Sequence, residues 1–136
     1  MTTPTIRGRT ALVTGAGRGI GRAIAVALAK EGCSVALLAR GAEELDETAH
    51  QCQGHGVETL CLPADITETG AIEEAIARCA EGMGGLNILV NNVGLFHWGS
   101  ALDADPDAWD RLIDVNLRAA MRATRRALPL IVYEEH

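Results

Sequence analysis

The chain has 136 residues, a length that fits one domain, and 48% of them are hydrophobic. Its formal net charge of -6 argues against a general nucleic-acid surface, because phosphate binding needs clustered cations. No apolar run approaches the roughly 20 residues that span a bilayer, so we expect a soluble, cytoplasmic domain that binds neither nucleic acid nor a membrane.

Strand and helix patterns alternate from the N-terminus onward. In chain order we predict a strand at residues 10–14, a helix at 20–31, a strand at 34–39, a helix at 43–53, a strand at 57–62, a helix at 68–81, a strand at 86–91 and a helix from 105 to about 128. This alternation predicts an α/β fold: a doubly wound parallel sheet with right-handed crossovers and helices on both faces.

Glycines and prolines mark the ends of the predicted helices. Gly32 ends the first helix, and the glycine cluster at residues 82–85 stops the third. The fourth helix begins at Asp105-Pro106, an N-cap followed by a proline in the first turn. We expect Pro129 to break that helix, because a proline lacks the N–H that the helix needs.

The segment T-G-A-G-R-G-I-G, residues 14–21, joins the first strand to the first helix. A helix N-terminus offers unpaired N–H groups and a positive dipole end to a phosphate pair, provided that the backbone can approach closely. Gly15, Gly19 and Gly21 remove the side chains that would block this approach. Because the segment follows a strand and opens a helix, we interpret it as a dinucleotide-binding turn; the alternative is a tight turn without a ligand.

The spacing T-G-x-x-x-G-x-G resembles that of the short-chain dehydrogenase/reductase family, and three further motifs agree in order and spacing. Asp65 follows the third strand as the family aspartate does. The motif N-N-V-G at residues 91–94 resembles the family motif N-N-A-G, with Val in place of Ala, and Asn116 matches the asparagine of the next helix. The resemblance runs from Arg9 to about Leu130 and is closest to the 3-oxoacyl-carrier-protein reductase branch.

This resemblance implies a Rossmann-type fold, of which the chain carries the first four strand-helix units as one incomplete dinucleotide-binding domain over residues 1–136. It also implies an oxidoreductase that passes a hydride between a nicotinamide cofactor and a carbonyl or alcohol carbon of a small molecule. Asp65 would contact the adenine ring, and Asn116 would be catalytic and steady a water near the family lysine. The cofactor-binding residues expected are Thr14, Gly15, Arg18, Gly19, Ile20, Gly21, Arg40, Asp65, Ile66, Asn92 and Gly94.

Two of these motifs also have a purely structural interpretation. Asp65 could instead cap the helix that begins near Thr67. Asn91 and Asn92 could serve only to close the end of a strand, a role that the family also gives to this motif. Asn116 is mildly unfavourable in mid-helix, so its presence there needs a reason.

The end of the second strand, which would face the adenosine ribose, carries no acidic residue. An acid there binds both ribose hydroxyls and selects NAD, whereas this chain has Ala39 followed by Arg40. Arg18 in the glycine turn supplies a second cation, and the arginine fork suits a phosphate. We therefore predict NADP(H) in preference to NAD(H); the alternative for Arg40 is a solvent-facing strand end.

The catalytic serine and the Tyr-x-x-x-Lys pair of the family have no counterpart in this sequence. Its only tyrosine is Tyr133, its only lysine is Lys30, and its serines are Ser34 and Ser100. Residues 131–136 do not resemble the fifth strand of the family, so we interpret them as an atypical tail. The prediction is the cofactor-binding half of a truncated reductase or, alternatively, a non-catalytic NADP-binding or assembly module.

Two apolar features of the sequence indicate surfaces for other molecules. The fourth helix packs on a partner subunit in the family, so we expect a homo-oligomer through this helix and its residues Trp109, Leu112, Ile113, Leu117 and Ala120. The aromatic segment F-H-W at residues 96–98 could line a substrate mouth or cover the end of the sheet.

The four cysteines and four histidines are scattered along the chain without the close pairing of a zinc site. We therefore expect reduced, buried thiols and no metal site. The basic run of Arg118, Arg122, Arg125 and Arg126 is interpreted as a solvated helix face near a helix C-terminus, where cations are favoured.

Overall fold

A computed structural model describes residues 5–133 of the chain. In chain order the elements are β1 (Thr10–Thr14), α1 (Gly19–Lys30), β2 (Ser34–Ala39), α2 (Ala42–Gln53), β3 (Thr59–Pro63), α3 (Ala71–Met83), β4 (Ile88–Val90), α4 (Pro106–Ile113) and α5 (Ala119–Tyr133). A π-helical turn, Asp114–Arg118, joins α4 to α5. The predicted alternation of strands and helices is confirmed; residues 134–136 of the predicted tail lie outside the described residues.

The strands form one parallel sheet in the order β3-β2-β1-β4. In this sheet Thr14 is paired with Leu38 of β2, and Val13 is paired with Val90 of β4. After β3 the chain therefore crosses to the far side of β1 before it adds β4. Such a reversal of strand order opens a crevice at the carboxyl ends of the strands, where open α/β sheets bind ligands.

Successive residues of β1 point to opposite faces of the sheet and build two separate cores. Ala11 and Val13 pack with buried residues of α1 and α2, whereas Leu12 packs with buried residues of α3 and α5. Helices therefore cover both faces, which confirms the predicted doubly wound arrangement. Burial on both faces is also the reason that β1 and β2 are continuous apolar runs, and it explains why their predicted bounds are correct.

The outer strands differ from their predicted bounds. β3 extends to Pro63, which pairs with Ala39, and β4 is shorter than the predicted run at residues 86–91. At the start of β4 the N–H of Thr10 donates to the side-chain Oδ1 of Asn87 rather than to a backbone carbonyl, at 2.8 Å. The asparagine side chain thus takes the place of a ladder hydrogen bond and shortens the strand.

Helix α3 begins later than predicted because residues 65–68 form a turn of their own. The carbonyl of Asp65 accepts a hydrogen bond from the N–H of Glu68 at 3.1 Å, which closes that turn before the helix starts. The helix also ends later than predicted. Gly82 lies inside it, and Gly84, with a φ of 77° in the left-handed region, is its C-cap.

The prediction that Pro129 breaks the last helix is wrong. The helix α5 continues through Pro129 to Tyr133. A proline there removes one backbone hydrogen bond, but Leu130 and Ile131 beyond it pack against the core that α3 and α5 share. The apolar contacts of the last turn offset the missing bond, so the helix is not interrupted.

Within residues 5–133, no helix is both long and apolar enough to cross a membrane, and no cluster of three or more His, Cys, Asp or Glu side chains could hold a metal ion. None of the four cysteines, all of which lie within these residues, forms a disulfide. Burial, with a smaller contribution from the neighbouring Cys61, raises the pKa of Cys52 to about 11. This thiol is therefore protonated at neutral pH.

Candidate functional site

An open cleft of about 1140 Å³ lies at the carboxyl ends of the strands. Its walls come from the glycine turn after β1, the end of β2, the turn after β3, the segment after β4 and one side of α4. These segments meet because parallel strands end at the same edge of the sheet. Six of the predicted cofactor-binding residues line the cleft: Gly15, Arg18, Arg40, Asp65, Ile66 and Gly94.

The glycine turn brings the start of α1 close to the end of β1. Gly15 and Gly19 have φ values of 63° and 57°, in the left-handed region that favours glycine. A Cβ added to Gly21 would overlap the carbonyl oxygen of Gly15, so only glycine allows the helix to approach the turn this closely. Arg18 precedes α1 in an extended conformation and makes no side-chain cap, which leaves the first N–H groups of the helix without a capping side chain.

The hydroxyl of Thr14 joins β1 to the chain that leaves β4. It donates to the carbonyl of Val90 at 3.2 Å and accepts from the N–H groups of Asn92 and Val93 at 2.9 and 3.1 Å. One donor and two acceptor positions are all that a hydroxyl has, so this side chain is saturated. Neither Thr14 nor Asn92 is among the residues that line the cleft, and their predicted role in binding the cofactor stays a prediction.

Asn92 adds a second link between the same two segments. Its Nδ2 donates to the carbonyl oxygens of Thr14 and Gly15 at 3.2 and 3.3 Å. The side chain thus closes the end of the strand and holds the glycine turn, as its structural interpretation proposed. Asn91 reaches the other way, and its Nδ2 donates to Oγ1 of Thr124 on α5 at 3.1 Å.

Asn116 lies in the π-helical turn and pairs with the backbone of Leu95. Its Oδ1 accepts from the Leu95 N–H at 2.6 Å, and its Nδ2 donates to the Leu95 carbonyl at 2.8 Å. The side-chain amide of Asn116 thus makes the two hydrogen bonds that the backbone of a neighbouring strand would make with Leu95. π-helical turns occur mostly as single irregularities and frequently at functional sites. This pairing accounts for an asparagine in mid-helix.

Arg18 and Arg40 carry the positive charge beside the glycine turn. The Arg18 side chain is 86% exposed, and its Nε lies 3.8 Å from Oε2 of Glu44. Arg40 is also exposed, and both arginines line the cleft together with Glu44. The sequence interpretation missed Glu44, because nothing in the polar pattern of α2 distinguishes it from its neighbours Glu43 and Glu47.

The sequence interpretation also missed Arg22, whose hydrogen bonds support the glycine turn. Its guanidinium donates to Oγ1 of Thr48 at 2.9 Å and to the carbonyls of Gly17 and Glu44 at 2.6 and 3.3 Å. The buried Thr48 hydroxyl donates in turn to the carbonyl of Ala16 at 2.8 Å. These bonds attach the glycine turn to α2. The only sign of this role in the sequence was that Arg22 occupies a position that the commoner pattern G-x-G-x-x-G would give to glycine.

Asp65 both lines the cleft and forms the turn after β3. Its Oδ1 accepts from Oγ1 and from the N–H of Thr67 at 2.6 and 2.9 Å. These two hydrogen bonds, with smaller contributions from the cations Arg40 and Arg111, lower the pKa of the Asp65 carboxyl. The carboxylate is therefore ionised and oriented by its own turn. Because α3 begins at Ala71, Asp65 does not cap a helix near Thr67, and its contact with the adenine ring stays a prediction.

The aromatic segment after β4 is largely exposed. The rings of Phe96 and Trp98 meet edge to face with centroids 5.1 Å apart, and the two residues are 72% and 85% exposed. Phe96 and His97 line the cleft. An exposed aromatic pair at the rim is compatible with a substrate mouth and does not cover the sheet.

No serine, tyrosine or lysine lines the cleft within residues 5–131, the part of the chain whose side chains are described. Lys30 is exposed at the last position of α1, and Ser34 is the first residue of β2, at the opposite end of the strands. Ser100 donates to the carboxylate of Asp103 at 2.9 Å. The described residues that line the cleft therefore offer charged, imidazole and backbone groups to a ligand, and the hydroxyl among them, that of Thr67, donates to Asp65.

The chain matches known proteins over most of its length. The family model described as short chain dehydrogenase matches residues 9–136. The uncharacterized oxidoreductase YgcW of Escherichia coli is 37% identical over 127 residues, which is 93% of this chain and 48% of that protein. The chain spans about half the length of the curated relatives it matches.

Two solved structures show the same fold with different nicotinamide cofactors. L-sorbose reductase from Gluconobacter frateurii, complexed with NADPH and L-sorbose, is 31% identical with a TM-score of 0.89, over 93% of this chain and 49% of that one. An NAD+-bound xylitol dehydrogenase is 27% identical with a TM-score of 0.91, over 98% of this chain and 52% of that one.

Replacing Thr14 by valine tests the link between β1 and β4. Thr14→Val keeps the shape but removes the hydroxyl. The Val93 N–H then loses its bond to Thr14, whereas the Asn92 N–H keeps its bond to the Val90 carbonyl at 3.1 Å, so we expect a loss of about 1–3 kcal/mol in the free energy of unfolding, measured with urea. The matched control is Thr10→Val at the other end of the same strand, where the hydrogen bond to Asn87 comes from the backbone. Equal losses in the two variants would contradict the role of the Thr14 hydroxyl.

The lowered pKa of Asp65 predicts how acid affects the turn after β3. Because the folded pKa lies below the unfolded value of about 3.9, ionised Asp65 stabilises the fold above that pH, and the contribution disappears as the pH falls through the folded pKa. Thr67→Val removes the largest cause and should raise the pKa of Asp65 in a carboxyl NMR titration. The exposed Thr69→Val serves as control, and an unchanged Asp65 pKa in Thr67→Val would refute this assignment.

Proposed function

Because the chain belongs to the short-chain dehydrogenase family, we propose that it binds NADP(H) in the cleft at the carboxyl ends of its strands. The observation that carries this proposal is the pair Arg18 and Arg40, which line the cleft beside the glycine turn, with Ala39 rather than an acid at the end of β2. Two guanidinium groups suit the extra phosphate that distinguishes NADP(H) from NAD(H).

The described residues fit a dinucleotide. The uncapped N-terminus of α1 and the glycines at 15, 19 and 21 offer the diphosphate a positive dipole end without side chains in the way. Arg18 and Arg40 would hold the 2′-phosphate, and Asp65 with Ile66 would face the adenine. When bound, the nicotinamide would supply the hydride donor or acceptor of the reaction.

The relatives support the cofactor class and leave the choice between NAD and NADP to local residues. The sorbose reductase structure contains NADPH and the xylitol dehydrogenase structure contains NAD+, so the shared fold accommodates both. The preference of this chain then depends on the side chains around the adenosine ribose. Arg40 favours the phosphorylated form, since an acid at this strand end would repel the phosphate.

We further propose that the chain serves as the cofactor-binding part of an oxidoreductase that acts on a carbonyl or alcohol carbon of a small molecule. A reduced carbonyl develops negative charge and needs a proton donor, and the described cleft lining contains no serine, tyrosine or lysine for that role. That same observation favours the second candidate, a non-catalytic NADP-binding or assembly module. Adding NADPH and a ketone to the purified chain separates them: turnover excludes the module, and binding without turnover excludes catalysis by this chain alone.

The apolar face of α4 and α5 is the proposed contact with a second copy of the chain. Trp109, Ile113, Leu117 and Met121 follow one another at four-residue spacing and are 45% to 61% exposed. Leu112 was predicted to belong to this face, but it lines the cleft instead.

Charge complementarity supports a second copy in the antiparallel direction. The first half of this helical segment is net acidic, with Asp107, Asp110 and Asp114 against one cation, Arg111, and the second half is basic, with Arg118, Arg122, Arg125 and Arg126. In an antiparallel pair, each acidic half would face a basic half, while a parallel pair would bring like charges together.

Arg40→Asp tests the cofactor proposal. Loss of a charge-assisted phosphate contact should weaken NADPH binding by about 10- to 100-fold, whereas NADH should bind at least as well as before. Isothermal titration of both nucleotides against the chain measures this. The control is Arg78→Asp, the same charge change at an exposed position of α3. Equal affinity of the unmodified chain for NADPH and NADH would refute the NADP preference.

Leu117→Asp tests the proposed homodimer. An aspartate buried at a helix interface without a partner should raise the dimer dissociation constant at least about tenfold in sedimentation equilibrium. Leu102→Asp, at a position that is 93% exposed outside the helices, is the matched control and should leave the constant unchanged. A monomeric unmodified chain at micromolar concentration would overturn the proposal.

A further inference from the structure

The carboxylate of Glu44 lies beside Arg18 in the cleft that both arginines line. It belongs to the first turn of α2, and its Oε2 is 3.8 Å from Nε of Arg18. It lines the cleft together with Arg18 and Arg40 and is 49% exposed as a side chain. A negative charge therefore stands among the cations that were predicted to receive a phosphate.

Packing holds this side chain over the glycine turn. A Cβ added to Gly17 would lie 3.1 Å from Cβ of Glu44, and one added to Gly41 would lie 3.3 Å from its Oε1. The backbone of the same residue is anchored as well, because the Glu44 carbonyl accepts from Arg22 at 3.3 Å. The backbone and the Cβ of Glu44 are thus held beside the glycine turn, and its carboxylate faces Arg18 in the cleft.

We propose that Glu44 is a specificity-determining residue that weakens the preference of the cleft for a 2′-phosphate; this rests on the proposed binding of NADP(H). Without a nucleotide, Glu44 is the counter-ion of Arg18. A 2′-phosphate must compete with it for the same guanidinium and is repelled by its charge. NAD(H) has hydroxyls at that position, so its binding leaves the pair of Arg18 and Glu44 intact.

The neighbouring glutamates of α2 provide the control for this effect. Glu43 is exposed, carries the same charge in the same helical turn and does not line the cleft. Glu47 accepts a hydrogen bond from Gln51 at 3.1 Å on the exposed side of the helix. Glu43→Gln therefore reproduces the change in net charge and in helix-dipole interaction without changing the charge inside the cleft.

Two adenosine phosphates isolate the 2′-phosphate in the experiment. Adenosine 2′,5′-bisphosphate and adenosine 5′-monophosphate differ only in that group, and both are titrated calorimetrically against the complete chain. Glu44→Gln should strengthen the binding of the bisphosphate by about three- to tenfold, as expected when a half-exposed negative charge no longer faces a phosphate that carries nearly two negative charges. The same substitution should change the affinity for the monophosphate by less than about twofold. The difference between its effects on the two affinities should become smaller at high salt.

Two further variants keep the test decisive. Glu43→Gln should leave the ratio of the two affinities unchanged. Glu44→Asp keeps the charge but withdraws it by one methylene, so its affinity ratio should lie between those of the unmodified chain and Glu44→Gln. The glutamine preserves the stem that packs on Gly17, and an unchanged urea midpoint confirms that the fold is intact.

Each outcome has one meaning for Glu44. Weaker binding of the monophosphate by Glu44→Gln would identify Glu44 as an acceptor for the ribose hydroxyls and overturn the proposal, as would an unchanged ratio. The NADP(H) assignment is judged separately. If the unmodified chain shows no preference for the bisphosphate but Glu44→Gln creates one, the assignment fails and the role of Glu44 stands; if neither shows a preference, both fail.

Discussion

The hydroxyl of Thr14 is the interaction on which the geometry of the cleft depends. β1 and β4 are neighbours, yet the ladder between them ends at Val90, and beyond it the two chains must separate to leave room for a ligand. The Thr14 hydroxyl bridges this point with one donated and two accepted hydrogen bonds, and it does so from a buried position. The opening of the crevice therefore starts at a defined residue, and the glycine turn is held against the segment after β4.

Asparagine side chains continue this role where backbone pairing stops. Asn92 donates to the carbonyls of Thr14 and Gly15, and Asn116 pairs with both backbone groups of Leu95. An amide presents a donor and an acceptor with the spacing of a peptide group, so it can replace a strand neighbour at a single position. The family motifs N-N-V-G and Asn116 are thus connected by one structural purpose in this chain: they fix the far wall of the cleft.

The charges around the cleft act in opposition rather than as a uniform positive field. Arg18 and Arg40 attract a phosphate, whereas Asp65 and Glu44 add negative charge to the same walls. Asp65 is ionised because its own turn donates to it, and Glu44 is held beside Arg18 by packing on the glycine turn. Selectivity between two nucleotides is a difference between two sums of such interactions, so a residue that disfavours one ligand matters as much as a residue that attracts it.

The fold class, the bounds of β1 and β2, and the glycine turn could all be predicted from the amino-acid sequence, because they depend on local patterns. Buried central strands are continuous apolar runs, and the turn needs glycine at set positions. The family motifs of the sequence also determined the family to which the chain belongs. The hydrogen bonds of Thr14, Asn92 and Asn116 to distant backbone, the position of Leu112 in the cleft lining and the continuation of α5 past Pro129 became apparent only when the chain was folded. The tertiary structure alone revealed Glu44 beside Arg18 and Arg22 beneath the turn. These features depend on contacts between segments that are far apart in the chain, and such contacts cannot be predicted from local patterns of residues.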